Sequence, residues 1–205
     1  MAARGAARKE TGSGFSPPEL STRERIEAAA LALFVERGVD AATTREIARA
    51  AGVSEGAIYR HFDSKDELAA EMFFRIHARL AGLIREAARS KRGIAEQTGA
   101  VIDAYCATAD ENFPLFAFHL LYTHRFLPSP EDVDNPVEAI EDIVSAAMKR
   151  REIARGDAGF VAGLALGLVL QTALQIHYGR LEGPLSQYAA DLVVAALGAM
   201  RAGER

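Results

Sequence analysis

The chain has 205 residues, with 24 Lys and Arg against 28 Asp and Glu, and 49% of its residues are hydrophobic. These proportions exclude a wholly disordered, a collagenous and a disulfide-stapled protein, and the length suits one large or two small domains. The single cysteine, Cys106, forms no internal disulfide, and the basic residues near the N-terminus lead into Gly, Ser and Pro without an apolar run. Both features predict a cytoplasmic protein.

The net charge of −4 gives little support for nucleic-acid binding, but that activity requires a local basic face and not a basic total. Residues 1–20 are rich in Ala, Gly, Ser and Pro and predict a flexible tail. The three basic residues of this tail can contact a phosphate backbone, although we favour a plain disordered terminus.

From Ser21 onward the hydrophobic pattern is helical with hardly a break. Three Ser or Thr residues are followed at the third position by Glu, which is the spacing of a capping box at a helix start. Apolar residues then recur at helical spacing, so the pattern predicts about nine helices, no strand and an all-α fold. The capping pairs are Ser21 with Glu24, Thr43 with Glu46, and Ser64 with Glu67, and the predicted helices cover about 22–37, 44–51, 55–61, 64–91, 94–111, 114–127, 136–148, 158–180 and 185–201.

The stretch from Thr43 to Lys65, TTREIARAAGVSEGAIYRHFDSK, predicts two short helices joined by a tight turn, which is a helix-turn-helix. Ala48 is small enough for the second helix to cross closely, and Gly52 permits the turn. The outward face of the second helix ends in Tyr-Arg-His, whose side chains donate hydrogen bonds suited to phosphates. Taken alone, such a corner is also compatible with a purely structural role. The apolar seam between the helices is predicted to consist of Ile47, Val53, Ile58 and Phe62.

The run from Thr22 to about Phe73 resembles the TetR family of transcriptional regulators, and GVSEGAIYRHFDSKDEL is its sharpest part. The resemblance implies an N-terminal helix-turn-helix DNA-binding domain at 21–67 and a C-terminal ligand-binding and dimerisation domain at 68–205. It also implies a homodimer, usually a repressor, that binds a palindromic double-stranded DNA operator and is released by a small-molecule effector. The rest of the chain matches the family only in its helical pattern and length.

The family's motif implies which residues contact DNA. Arg45 and Arg60 are the candidates for base readout, because a guanidinium pairs bidentately with guanine, although either can bind phosphate instead. Glu55 is acidic where a basic residue would be easier to explain. It can accept a hydrogen bond from a cytosine amine or only support the start of the helix, and we favour the second. The residues that the resemblance places at DNA are Thr43, Thr44, Arg45, Ser54, Gly56, Ala57, Tyr59, Arg60, His61 and Lys65.

The 22 residues between Asp157 and Arg180 carry no charge and are numerous enough to span a bilayer. Glycines recur there every four positions, a pattern that allows close helix packing in membranes. Polar residues in the C-terminal half and the amphipathic helices around it favour instead a helix buried in a dimer. The resemblance implies that the last two helices form this interface, so we predict a homodimer and no membrane contact. The predicted interface residues are Gly159, Gly163, Gly167, Gln171, Leu192, Ala196 and Leu197.

The middle helices are rich in aromatic residues and His, which fits either a packed core or a drug-sized pocket. The helix that begins at Pro114 presents several of them on one face, as a candidate wall of a pocket. This composition predicts an apolar or aromatic effector. The wall consists of Leu115, His119, Tyr122 and Phe126, and the candidate effector-binding residues are Tyr105, Phe116, His119, Tyr122, Phe126, Met148 and Gln175.

The sequence contains no GxSxG, HExxH, Walker loop or GxGxxG motif, so we expect neither an enzyme nor a bound cofactor. His119 and His124 diverge on a helix and have no nearby Cys or Asp partner, so no metal site is predicted. Cys106 is more typical of a small core residue than of a redox sensor. Two alternatives remain open, a ligand-independent architectural DNA-binding protein and an activator in place of a repressor.

Overall fold

The computed structural model describes residues 20–128, 130–131 and 133–201. Within these ranges the all-α prediction is confirmed, with nine α-helices, one short 3-10 helix and no strand. The tail predicted over 1–20 lies outside the described residues except for Leu20. The elements are α1 (Thr22–Arg37), α2 (Thr44–Ala51), α3 (Glu55–Tyr59), α4 (Lys65–Arg89), α5 (Gly93–Glu111), α6 (Phe113–Phe126), α7 (Pro136–Lys149), α8 (Ala158–His177), a 3-10 helix (Leu185–Tyr188) and α9 (Ala189–Arg201).

The first helices start at the side-chain caps that the sequence predicts. Ser21 and Thr43 each form a complete capping box, in which the Glu three residues later accepts a hydrogen bond from the amide of the cap residue. Ser64 caps α4 through its hydroxyl, but Glu67 accepts from the amide of Asp63 and not from that of Ser64. The third predicted capping box is therefore only half formed.

Some helix ends differ from the prediction. The second helix of the helix-turn-helix ends at Tyr59, two residues early. α8 ends at His177, because Gly179 takes a left-handed φ of +67° that stops the helix. The last predicted helix begins as a 3-10 helix. The carboxylate of Asp110, on α5, accepts hydrogen bonds from the amides of its first two residues, Leu185 and Ser186.

We call α1, α2 and α3 the head. The predicted seam of the helix-turn-helix lies in the core of the head, where Ile47, Ile58 and Phe62 are buried and Val53 is half-buried. Gly52 joins α2 to α3 with a left-handed φ of +65°, a conformation that favours glycine. The head is therefore held together by its own apolar seam, which leaves the outward face of α3 free of a packing role.

We call α4 to α9 the body. α4 is the longest helix and runs from the head into the body, where it packs against α5 and α7. α8 packs against α7 and α9, and α9 packs against α5. Cys106 on α5 is fully buried, and burial raises the pKa of its thiol to about 11. A protonated, inaccessible thiol agrees with the interpretation of Cys106 as a core residue.

α6 links the body to the head through polar contacts. The Tyr122 hydroxyl accepts a hydrogen bond from the amide of Val39 at 2.8 Å and donates one to the carbonyl of Phe34 at 3.3 Å. Arg125 pairs with Asp40 after α1 and with Asp66 at the start of α4, each at 2.8 Å. A displacement of α6 would therefore pull on both the end of α1 and the start of α4. We call these contacts of Tyr122 and Arg125 the head–body link.

Two histidines are buried where α4 meets α6. His77 Nδ1 and His119 Nε2 lie 3.0 Å apart and share one proton, and both rings stack on Phe73. Each neutral imidazole has one N–H and one lone pair. The two nitrogens that face away from the shared proton, His77 Nε2 and His119 Nδ1, are therefore one unpaired donor and one unpaired acceptor. Among the described residues, these two nitrogens are the only fully buried side-chain N or O atoms without a hydrogen-bond partner. His119 is thus part of the α4–α6 core.

We expect the protein to lose stability in mild acid because of this pair. Burial, and then the neighbouring His77, lowers the pKa of His119 to about 3 from 6.5, and burial also lowers the pKa of His77. Between pH 6.5 and 4.5 the unfolded chain binds protons that the folded chain does not, so the free energy of unfolding falls as pH falls. The slope is about 1.4 kcal/mol per pH unit for each His whose pKa is fully shifted. Urea unfolding at several pH values measures this slope. The double variant His77→Leu, His119→Phe should flatten it, and an unchanged slope would show that the pair is not its source.

Candidate functional site

The outward face of the helix-turn-helix carries exposed polar side chains from α2 and α3. Tyr59 is 53% exposed, and Arg60 and His61 follow it on the surface. Arg45 is exposed on the first turn of α2, and half-buried Thr44 lies beside Tyr59, with their hydroxyl oxygens 3.4 Å apart. The structure therefore brings together, at one edge, the start of α2 and the end of α3. Hydroxyl, guanidinium and imidazole donors at one edge suit a row of phosphates and base edges.

Three of the predicted contact residues also have a structural task. The Thr43 hydroxyl accepts a hydrogen bond from the amide of Glu46 and so caps α2. The Ser54 hydroxyl accepts one from the amide of Ala57 and caps α3 in the same way. Lys65 Nζ donates to the carbonyls of Asp40 at 3.0 Å and Ala42 at 2.8 Å, which ties the start of α4 to the loop before α2. The outward face is therefore held in position by Thr43, Ser54 and Lys65, independently of any contact that these residues make with another molecule.

Ala57 does not lie on the outward face. It is 4% exposed and lies with Ile58 on the buried side of α3. The prediction of a groove-facing Ala57 is corrected accordingly. Gly56 next to it is exposed, and a Cβ there would meet no atom within 4 Å. The packing of the protomer itself therefore leaves open space at Gly56, which is the situation expected where another molecule approaches the backbone.

A groove between α2 and α3 contains charges of both signs. Arg45 and Arg49 line it together with Glu55, with no ion pair between them among the described residues. Glu55 therefore lowers the positive potential of this groove and also lies in the first turn of α3, where an acid favours the helix. Sequence reasoning did not single out Arg49, although its spacing of four residues from Arg45 on a predicted helix placed both on one face.

α8 exposes an apolar face. Phe160 is 66% exposed and Leu164 40%, and Gly163, Gly167 and Gln171 are exposed beside them. By length and composition α8 is the one helix of the described chain that could cross a membrane, with a mean hydropathy of 1.7 over its most apolar window. Only 22% of that window is buried within the protomer. An exposed apolar face of this size is typical of a protein–protein or membrane interaction site.

Two of the three residues predicted on α9 for the dimer interface are buried within the protomer itself. Leu192 is buried and Ala196 is 0% exposed inside their own protomer, whereas Val194 is 72% exposed. The apolar stripe chosen from spacing is the one that packs against α5 and α8, and Leu197 at its border is half-buried. On α8, Gly159 is only half-buried, and a Cβ there would lie 3.6 Å from the carboxylate of Glu141.

A narrow cleft lies between α5, α7, α8 and α9. We call it the effector cleft. Its polar side chains are only Gln97, Thr98 and Tyr105, and it contains no charged residue. Burial raises the pKa of Tyr105, so this phenol stays protonated at neutral pH. The remaining lining residues are Val101, Ile102, Ile140, Ile143, Val144, Ala165, Leu166, Val169, Ala196 and Met200.

Tyr105 is the only predicted effector-binding residue that lines this cleft. The wall predicted on α6 is instead divided between core contacts, because α6 lies against α1 and α4 and not along the cleft. Phe126 packs against Phe73 and Phe74, and Met148 is buried in the body. The remaining candidates are Phe116, which packs against Tyr105, His119 in the histidine pair, Tyr122 in the head–body link, and half-buried Gln175 on α8.

Comparisons with known proteins agree with this architecture. The family model described as "Bacterial regulatory proteins, tetR family" matches residues 26–72. The chain is 55% identical over 47 residues to the HTH-type transcriptional regulator SrpR of Pseudomonas putida, which covers 23% of this chain and 22% of SrpR. It is 29% identical over 159 residues to the HTH-type transcriptional activator FasR of Mycolicibacterium smegmatis, which covers 74% of this chain and 69% of FasR.

A solved structure shares the whole fold. The regulator FadR of Bacillus subtilis, in complex with stearoyl-CoA, aligns with a TM-score of 0.71 at 17% identity, over 86% of this chain and 98% of FadR. The chain spans only about a fifth of the length of SrpR, so the strong identity is confined to a short stretch. The relatives are transcriptional regulators. Residues 26–72 therefore match the TetR family of bacterial regulatory proteins, and the rest of the chain has the helical fold of solved regulators of that family.

Proposed function

We propose that the chain is a cytoplasmic, homodimeric regulator that binds a palindromic DNA operator and releases it when an elongated apolar effector binds. The observation that carries the proposal is the outward face of the head. There Tyr59, Arg60 and His61 are exposed beside Arg45, while the apolar side of the same helices is buried. α3 enters the major groove, Arg60 reads bases, and Thr44 with Tyr59 holds the adjacent phosphates.

The dimer forms through α8 and α9. Two copies of the exposed apolar face of α8, with Phe160 and Leu164, cover each other about a two-fold axis, and Val194 extends this face onto α9. The exposed glycines Gly163 and Gly167 let the two α8 helices approach closely. A two-fold dimer presents two recognition helices, so the operator has two half-sites one helical turn apart or a multiple of it.

The effector is a long-chain fatty acid or its acyl thioester. Support comes from the effector cleft, whose lining is uncharged and almost wholly apolar. It also comes from the shared fold with FadR of Bacillus subtilis, which was solved in complex with stearoyl-CoA. An effector that separates α5 from α7 must also move α4, because α4 packs against both. Movement of α4, with the head–body link, changes the distance between the two recognition helices, so that the dimer no longer fits both half-sites.

We favour repression as the regulatory effect of DNA binding, because release of the DNA by an effector then allows transcription of the gene. The resemblance over 159 residues to FasR, which is named an activator, favours activation as the second candidate. Both candidates use the same DNA interface and effector cleft. They differ in where the operator lies relative to a promoter, so transcription from a promoter that carries the operator separates them.

The proposal is tested by selecting duplexes from a random DNA library with the full chain at near-physiological salt. We expect a palindromic consensus, and we expect a long-chain fatty acid or its CoA thioester to weaken binding to that duplex at least tenfold. Recovery of random sequences would contradict the sequence-specific operator. A consensus whose binding neither compound changes would contradict the effector and leave the DNA-binding function in place.

A further inference from the structure

A second cleft lies further along α5 than the effector cleft. It is between α4, α5 and α6, and we call it the outer cleft. Residues of α5 and its C-cap, Asn112, line the two clefts in turn. Their span along the helix axis is about 22 Å at 1.5 Å per residue. Gln97, Val101 and Tyr105 line the effector cleft, and Thr108 and Asn112 line the outer cleft.

An aromatic contact joins the linings of the two clefts. Tyr105 lines the effector cleft and Phe116 lines the outer cleft, and their rings meet edge to face with centroids 5.4 Å apart. The two rings are held together by packing. Rotation of either ring breaks this aromatic contact, and burial of an alkyl chain opposes that loss.

Charge distinguishes the two ends of this path. The effector cleft has no charged lining residue, whereas Arg79 and Glu111 lie at the rim of the outer cleft. Arg79 is exposed and has no ion-pair partner among the residues that the structure describes. An apolar chain is therefore favoured at the inner end and an acidic group at Arg79, and Glu111 weakens the attraction for that acid.

We propose that one elongated ligand occupies both clefts, with its acidic head at Arg79 and its apolar tail passing between Tyr105 and Phe116 into the effector cleft. The inference rests on the proposed function and specifies how its effector binds. A free fatty acid and an acyl thioester of CoA share this chemistry, since both join an alkyl tail to an anionic head. Tyr105 and Phe116 are then the residues that determine which chain lengths bind.

Calorimetric titration of the full chain with saturated fatty acids from octanoate to stearate, and with the matching CoA thioesters, tests the tail. A short chain fits the outer cleft alone, whereas a long chain must displace the aromatic pair. Phe116→Leu and Tyr105→Leu should therefore tighten binding of the long chains about tenfold more than binding of the short chains. Phe74→Leu, which removes a half-buried ring elsewhere on α4, is the control. An equal change at every length, or none, would overturn the proposal.

The head is tested by surface variants that leave the core intact, so the result holds even if an aromatic variant does not fold. Arg79→Gln should weaken binding of a fatty acid about tenfold but should not weaken binding of the alcohol of equal length. Glu111→Gln should tighten binding of the fatty acid. Arg89→Gln, an exposed arginine further along α4, is the control. Equal losses for acid and alcohol would refute the role of Arg79. If neither acids nor thioesters bind while the chain still selects a palindromic duplex, this inference and the effector fail, and the DNA-binding function stands.

Discussion

Arg60→Ala is expected to lower affinity for the selected operator about 10- to 100-fold, because a bidentate arginine–guanine pair contributes about 1–3 kcal/mol of discrimination. Affinity for random duplex DNA should fall much less, since that binding depends on phosphate contacts from many residues. Arg60 is exposed at the end of α3 and has no structural hydrogen bond to lose, so the variant should fold normally. Fluorescence anisotropy on both duplexes measures the two affinities.

The control for Arg60 is Arg89→Ala, which removes an equally charged but more distant exposed arginine. It should change neither affinity by more than about twofold, because long-range charge is screened at physiological salt. Equal losses on operator and random DNA in Arg60→Ala would assign Arg60 to a phosphate. In that case base readout would have to come from the groove that Arg45, Arg49 and Glu55 line.

Phe160→Glu is expected to raise the dissociation constant of the dimer at least 100-fold. A two-fold interface contains the substitution twice, and each lost phenyl burial costs about 1.5–3 kcal/mol before the buried charges are counted. Phe160 is exposed within the protomer, so the monomer should keep its helix content and its melting temperature should change little. Sedimentation equilibrium measures the dissociation constant, and operator binding should weaken in parallel.

Leu20→Glu is the matched control, because Leu20 is 59% exposed and lies outside α8 and α9. It should leave the dimer intact. A Phe160→Glu protein that remains dimeric would contradict the assignment of the α8 face and would direct attention to the other exposed apolar residues, such as Tyr178.

Local signals in the sequence predicted the head well. The capping boxes at Ser21 and Thr43 and the left-handed Gly52 depend on residues within four positions of each other, so their chemistry is visible in a short stretch. Most of the residues proposed to contact DNA are exposed on the same short helices or at their ends. Ala57 was misplaced because a five-residue helix has little periodicity from which to separate its buried side from its exposed side.

The body was less predictable because its sites combine residues distant in the chain. α9 carries apolar residues on two faces, and spacing alone does not tell which face packs inside the protomer. The stripe with Leu192 and Ala196 proved to be internal, and Val194 proved to be exposed. The effector cleft is built from four helices, so a stripe on α6 could not locate it. His77 had one usable signal, its place four residues after Phe73 on an inward helical stripe.

The central claim is that a dimer places two copies of the α3 face on one duplex. The most direct measurement is sedimentation equilibrium of the full chain with a duplex carrying the complete palindrome and with one carrying a single half-site. We predict two protomers on the complete palindrome, with an affinity at least 100-fold higher than on the half-site. One protomer per duplex, with equal affinity for both duplexes, would contradict the account.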